Sequence, residues 1–364
     1  ASDNTAVGQG SLNANITGAS NTAVGRNALT TNTTGTENTA VGKSALGSNT
    51  TASYNVAVGQ GAGDAITTGN YNTAIGRSAL TSLTTNAANT AVGGSALASN
   101  TAANNTAVGY NSLTANTSGT ENTAVGFQTL MTQSSNGYMN TAVGYQAGRL
   151  NTSGESLTAI GFKALEANTT GDGNTAVGQQ ALVANTTGAN NTAVGQAALD
   201  ANTTASHGSA FGFSALSAAT TAQDNSAFGA YALQVTTTGA SNTAVGVASL
   251  QLNTTGADNT AVGKNALQAN TTGGNLVAVG KGALESNTTA NNSVAVGLRA
   301  LNANTTGADN TAMGRDALYV NTTGANNVAL GAFALDANTT ASNNTAVGHN
   351  SLGASTTGGG SNTC

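Results

Sequence analysis

Proline and tryptophan are absent from the 364 residues, cysteine occurs once, and only 6% of positions are charged. Ordinary globular domains carry about 25% charged residues, so this sparse complement points to an unusual architecture. The single Cys364 cannot make an internal disulfide, and no Cys/His grouping has the spacing of a zinc site. A net charge of −5 argues against a nucleic-acid partner, which needs a basic footprint. No apolar run approaches the roughly 18–20 residues that span a bilayer. The first residues carry no leader pattern, so any export signal is expected to have been removed or to lie outside this sequence. Composition does not shift along the chain, and one continuous repeat domain over 1–364 without separate caps is expected.

What is present is a repeat. Taking the glycine of each N-T-A-V-G as position 0, it recurs from Gly8, Gly25 and Gly42 through to Gly331 and Gly348, 21 copies in all. The period is 17, broken by one deletion (Gly93 to Gly109) and one insertion (Gly126 to Gly144). The unit reads N-T-A-V-G-x-x-A-L-x-A-N-T-T-G-A-x. Seventeen residues are too few for a helix–turn–helix repeat, and β-branched T-A-V favours strand. The expected fold is all-β, a parallel β-solenoid (β-roll) of 21 coils, each made of a short T-A-V strand, a glycine corner, a second short strand at A-L-x-A and an N-T-T-G corner.

Residue use by position suggests an inside and an outside. Position −1 is apolar in every copy, and +4 is Leu in 19 copies, the exceptions being Gly63 and Gly148, whose space Ile66 and Leu150 are placed to fill. These two positions are expected to form the core. All 23 charged residues fall at −6, −5, +1, +2 or +5, which are therefore expected to face water. Position −2 is Ala in all 21 copies and points to the strand face opposite −1. Two readings stand: a cramped corner within one coil, or a close-packed contact with another solenoid through residues such as Ala176 and Ala193. One Val and one Leu per coil make a thin core, which favours association with like chains.

The recurring N-[T/S]-[T/V]-A-[V/I]-G, as in Asn55-Val56-Ala57-Val58-Gly59 and Ser293-Val294-Ala295-Val296-Gly297, resembles the head repeat of YadA-like trimeric autotransporter adhesins. Similar N-T-A-V-G-x-x-A-L stretches occur in phage tail-fibre-like proteins. The resemblance covers essentially the whole chain. It implies a left-handed parallel β-roll, a parallel homotrimer and an exposed role in adhesion or host contact. The family's head repeat is shorter than 17 residues, and neck, coiled-coil stalk and membrane-anchor barrel have no counterpart here.

Catalytic chemistry finds no foothold in the pattern. His207 at −5 and His349 at +1 are eight coils apart and read as solvated corner residues. The acids are dispersed singly, with neither a G-G-x-G-x-D calcium repeat nor a coil rich enough in carboxylates for calcium. No glycine-rich run leads into a phosphate-binding helix. Neither enzyme activity nor any cofactor or metal is expected. Fifteen copies carry Asn at +7, eleven of them within N-T-T, giving sequons such as Asn32-Thr33-Thr34, which read as an asparagine ladder or as glycan acceptors.

Tyr110, Phe127, Tyr145 and Phe162 occupy +1 in four consecutive coils. That ladder is expected either to stack on itself or to offer a sugar-binding or docking strip. Phe211 and Phe228, both at −1, read as an internal stacked pair. The chain enters a repeat at once and stops within another, at Ser361-Asn362-Thr363-Cys364. Head-to-tail stacking with Cys364 near the junction is therefore one expectation, and excision from a longer fibre the other. The function expected is an extracellular structural or adhesive fibre on a cell or virion surface. Its partner is itself, laterally or end to end, and it also contacts a surface glycan or host receptor. An ice-binding solenoid with threonine ladders, a phage tail-fibre shaft and a polysaccharide-processing spike are the alternatives.

Overall fold

A computed structural model describes residues 2–134, 137–353 and 361–364. They fall into two units, Ala1–Thr187 and Gly188–Cys364. The first holds eleven three-residue strands, β1 (Thr5–Val7) to β11 (Thr175–Val177), and the second ten, β12 (Thr192–Val194) to β21 (Thr345–Val347). Each unit is a parallel β-solenoid in which every strand is the T-A-V segment of one repeat. Strands pair in register with the next copy, as Thr22 with Thr39 and Thr243 with Thr260. The deletion and the insertion leave this register intact, Thr90 pairing Thr106 and Thr123 pairing Thr141. The rest of a typical coil is turns, bends and irregular backbone, so the expected second strand at A-L-x-A does not form.

That missing strand has a backbone cause. Leu at +4 adopts φ between 47° and 53° in all 19 copies, and position 0 adopts φ near +135°. The first is a left-handed conformation that costs a bulky side chain roughly 1–2 kcal/mol, offset by burying the leucine, about 1.5–3 kcal/mol. The second is open only to glycine. A Cβ on Gly161 would also stand 2.5 Å from the carbonyl oxygen of Gly178 in the next coil. Invariant glycine at 0 thus reflects both the angle and the coil-to-coil approach.

The strand's two faces are the reverse of the sequence expectation. Ala at −2 is buried within its own coil, Ala176 and Ala193 being 0% exposed, so neither can touch another solenoid. Position −1 points outward: Val58, Ile75, Ile160, Val245 and Met313 are all more than a third exposed. Phe211 and Phe228 do stack, with centroids 4.9 Å apart, but on the outside. The reason is space. Ala −2, Ala +3, Leu +4 and two asparagines share a coil interior too narrow for a β-branched residue at every level. Leu at +4 is inside as expected. Where it is Gly63, Ile66 fills the gap. At Gly148 the gap is filled by Leu130 of the preceding coil, while Leu150 stays half-buried.

Asparagines at −4 and +7 run through the interior as two carboxamide ladders. Asn270 donates from Nδ2 to Asn253 Oδ1 (2.9 Å) and to Gly273 O (3.0 Å), and its own Oδ1 accepts from Asn287 Nδ2 (2.9 Å). Asn259 donates to the same Gly273 carbonyl (2.9 Å), and its Oδ1 accepts from the Leu276 N–H (3.0 Å). Where a ladder stops, a polar atom is stranded: Ile66 follows Asn49, and Asn49 Oδ1 has no hydrogen-bond partner among the described residues. Asn270→Ala is expected to cost about 1–3 kcal/mol, because it orphans groups on both neighbouring coils. Asn270→Leu should cost less, since Leu83 already occupies the same position, fully buried. Urea unfolding of both variants measures these losses, and an Asn270→Leu chain as stable as the wild type would refute the ladder's role.

Candidate interaction surfaces

The T-A-V strands build the most uniform surface on each unit. With Ala turned inward, −3 and −1 face outward two residues apart, giving one rank that is mostly Thr beside one that is apolar throughout. No charged residue occurs between −4 and 0 in any copy. The face was missed in the sequence because Val at −1 is the larger apolar residue of the strand. The available signal was that Ala never varies while −1 ranges over Val, Ile, Phe, Met and Leu, a latitude that an outer position allows and a narrow interior does not.

Tyr110, Phe127, Tyr145 and Phe162 form a continuous stack in the first unit. Successive centroids lie 5.8, 5.3 and 5.3 Å apart, with interplanar angles of 19°, 6° and 9°. Between 40% and 55% of each residue remains exposed, Tyr110 most, since Gly94 occupies +1 in the preceding coil. Stacking covers the ring faces within the ladder and leaves the edges outward. A sugar packs on an aromatic face, so the internal rungs do not offer that platform. Lys163 Nζ, 5.8 Å from the Phe162 centroid, sits over the end of the stack. Aromatic pairs contribute about 0.5–1.5 kcal/mol each. Phe127→Ser removes two of them and Tyr110→Ser one, so the first should cost about twice the second in urea unfolding. Equal costs would mean that the stack contributes nothing.

The remaining polar groups are mostly engaged with the fold. Asn32 is fully buried in its ladder, so this sequon offers no acceptor once the coil has closed. Thr at +8 spends its hydroxyl on the backbone, as Thr271 Oγ1 donating to Thr288 O at 3.0 Å. His207 Nδ1 lies 3.5 Å from Asp224, with both side chains exposed. His349 meets Phe333 edge-on at 5.8 Å. Glu166 holds Arg149 and Lys163, at 3.0 and 3.1 Å. Asp316, buried among aromatic-stacked arginines, holds Arg299 at 2.9 Å. Among the described residues, no group of three or more His, Cys, Asp or Glu is placed to hold a metal, and no helix is long and apolar enough to cross a membrane. Cys364 is exposed, and its N–H donates to Thr345 O at 2.9 Å, so residues 361–364 lie against β21, with Thr363 bridging Thr345.

Asp200 at +5 shows what the corners tolerate. Partial burial pushes its carboxyl above the ordinary value, against the pull of nearby backbone N–H groups, and its Oδ1 has no hydrogen-bond partner among the described residues. A carboxyl raised on folding weakens the fold while it is ionised, and the penalty disappears as pH falls through the folded value. Asp200→Asn should therefore raise the melting temperature at pH 7, with a gain that shrinks toward pH 4. A gain independent of pH would rule out ionisation as its cause.

No protein-family model matches the chain, and comparison with curated proteins returns no significant similarity.

Proposed function

We propose that the chain is an extracellular structural or adhesive fibre protein, exposed on a cell or virion surface, that associates laterally with copies of itself through the T-A-V faces. The observation that carries this reading is the outward apolar rank at −1, repeated at every coil with no charge to interrupt it. A contiguous apolar strip of that kind marks a contact surface. The resemblance to adhesin head repeats and tail-fibre repeats supports the same role, with binding and structural work distributed along the coils and no catalysis. Attachment to a glycan or receptor would fall to surfaces left open in the assembly, among them the end ring Tyr110, the most exposed of the stack.

A second reading has one specific support. A charge-free face bearing a threonine rank beside an apolar rank, both at regular spacing, suits ordered water and ice as well as a protein partner. The +8 threonines are poor candidates for that task, because their hydroxyls are already bonded to the backbone. The two readings compete for one face. Val245→Asp with Val262→Asp changes outward side chains only, so it should leave the melting temperature nearly unchanged and convert an assembled protein to monomer in sedimentation velocity. A wild-type protein that stays monomeric at high concentration and shows thermal hysteresis would replace the fibre reading with the ice-binding one.

A further inference from the structure

The chain has seven tyrosines, and two of them alone share one position in successive coils: Tyr54 and Tyr71, both at −5. Their rings stack with centroids 5.0 Å apart and planes 2° from parallel. Bonds between the two corners hold them level, the Tyr71 N–H donating to Ser53 O at 3.3 Å and the Ser53 N–H to Asn70 Oδ1 at 2.7 Å. Both rings are open to solvent, Tyr54 being 45% and Tyr71 63% exposed. The Tyr54 hydroxyl donates to the carboxylate of Glu37, at −5 of the coil before. In the four-ring ladder tyrosine alternates with phenylalanine, so Phe127 stands between Tyr110 and Tyr145.

The same step has a second peculiarity. Tyr54 follows Asn49 in its corner and Tyr71 follows Ile66 in the next, and the step from Asn49 to Ile66 is where the buried +7 ladder stops. Where the internal carboxamide link ends, two phenols face each other outside. A second gap in that ladder, at Ala219 and Thr236, lies in the coils of Phe211, Phe213, Phe228 and Tyr231, which together supply a single phenol.

We propose that Tyr54 and Tyr71 form an oxidative cross-linking site, at which hydrogen peroxide and a haem peroxidase join the two rings as dityrosine and staple the two corners together. Each phenol gives up one electron and its hydroxyl proton. Glu37 accepts the proton of Tyr54, and water accepts that of Tyr71. The two phenoxyl radicals couple through the carbons ortho to their oxygens, which forms one C–C bond. The hydrogens on those carbons then move to the oxygens and restore both hydroxyls. Two tyrosines and one peroxide thus give one dityrosine and two waters. The fold supplies proximity, because rings already stacked at successive levels meet without an encounter between chains. The new bond closes the loop between residues 54 and 71, which lowers the entropy of the unfolded chain.

The test treats the full chain, in dilute solution, with peroxidase and hydrogen peroxide, then denatures it and digests it with trypsin. Ser44–Arg77 contains Tyr54 and Tyr71 and no other tyrosine, whereas Ser78–Arg149 contains Tyr110, Tyr138 and Tyr145. The expected product is Ser44–Arg77 lighter by two hydrogens and fluorescent as dityrosine, in a yield independent of protein concentration. Tyr71→Phe keeps the stack and should abolish that product. Phe127→Tyr should create a second cross-link, within Ser78–Arg149; its absence would show that stacking in successive coils is not what selects the pair. Dityrosine found chiefly between chains, or in Ser78–Arg149 of the unsubstituted protein, overturns the site. The cross-linked chain should also unfold at a higher urea concentration than the untreated one, and an unchanged midpoint would overturn the staple.

Discussion

A carboxamide can be buried in a narrow coil only if both of its ends are bonded, and here each end is bonded to a different coil. That requirement makes the 17-residue period strict. An asparagine displaced by one residue would lose the Oδ1 below it, the Nδ2 above it and the shared carbonyl at the corner together. The chain's two length changes respect this limit: residues are lost or gained around the N-T-T-G corner, and strand register resumes on the other side. In-register stacking in turn brings the position 0 carbonyl of one coil against the position 0 α-carbon of the last, which leaves room for glycine alone. The ladders, the invariant glycine and the left-handed leucine are parts of one constraint.

How much of this was legible follows from what repetition can and cannot encode. Twenty-one copies made the parallel solenoid readable, because no other fold repeats a three-residue apolar strand every 17 residues. The water-facing role of +1 was readable from charge, and the inward role of +4 from its leucines. The orientation of T-A-V was not, since a strand apolar on both faces carries no polarity contrast to mark its inside. Size was taken as the sign of burial, which put Val at −1 in the core. The interior is instead filled from the A-L corner and by asparagine, and Ala is what still fits. The second strand expected at A-L-x-A failed for a related reason: burying Ala +3 and Leu +4 side by side requires a left-handed leucine, which strand geometry does not allow.

The interaction surfaces were half legible. The four-ring ladder was identified by position and does stack, yet stacking turns its faces inward along the axis and weakens the case for a sugar platform. Ala176 and Ala193 were chosen as contacts on the argument that an unvarying small residue signals close approach. The close approach is real, but it is made within the coil. The threonines divide in the same way: the first hydroxyl of the N-T-T pair is tied to the neighbouring coil, and the outward threonines are those of the strand.

A partner that engages the T-A-V face at every level must itself repeat at the coil spacing of about 4.8 Å. Few molecules do. A globular receptor or a short glycan touches a few coils and leaves the others without selective reason to stay uncharged. Another copy of the same solenoid repeats at that spacing by identity, and it brings the eight acids at −6 and −5 and the eight basic residues at +1 and +2 with it. An ordered water lattice is periodic too, but it has no use for eight acids along one edge and eight basic residues along the other. These charged edges therefore favour the proposed self-association over the ice-binding reading where the ranks alone do not.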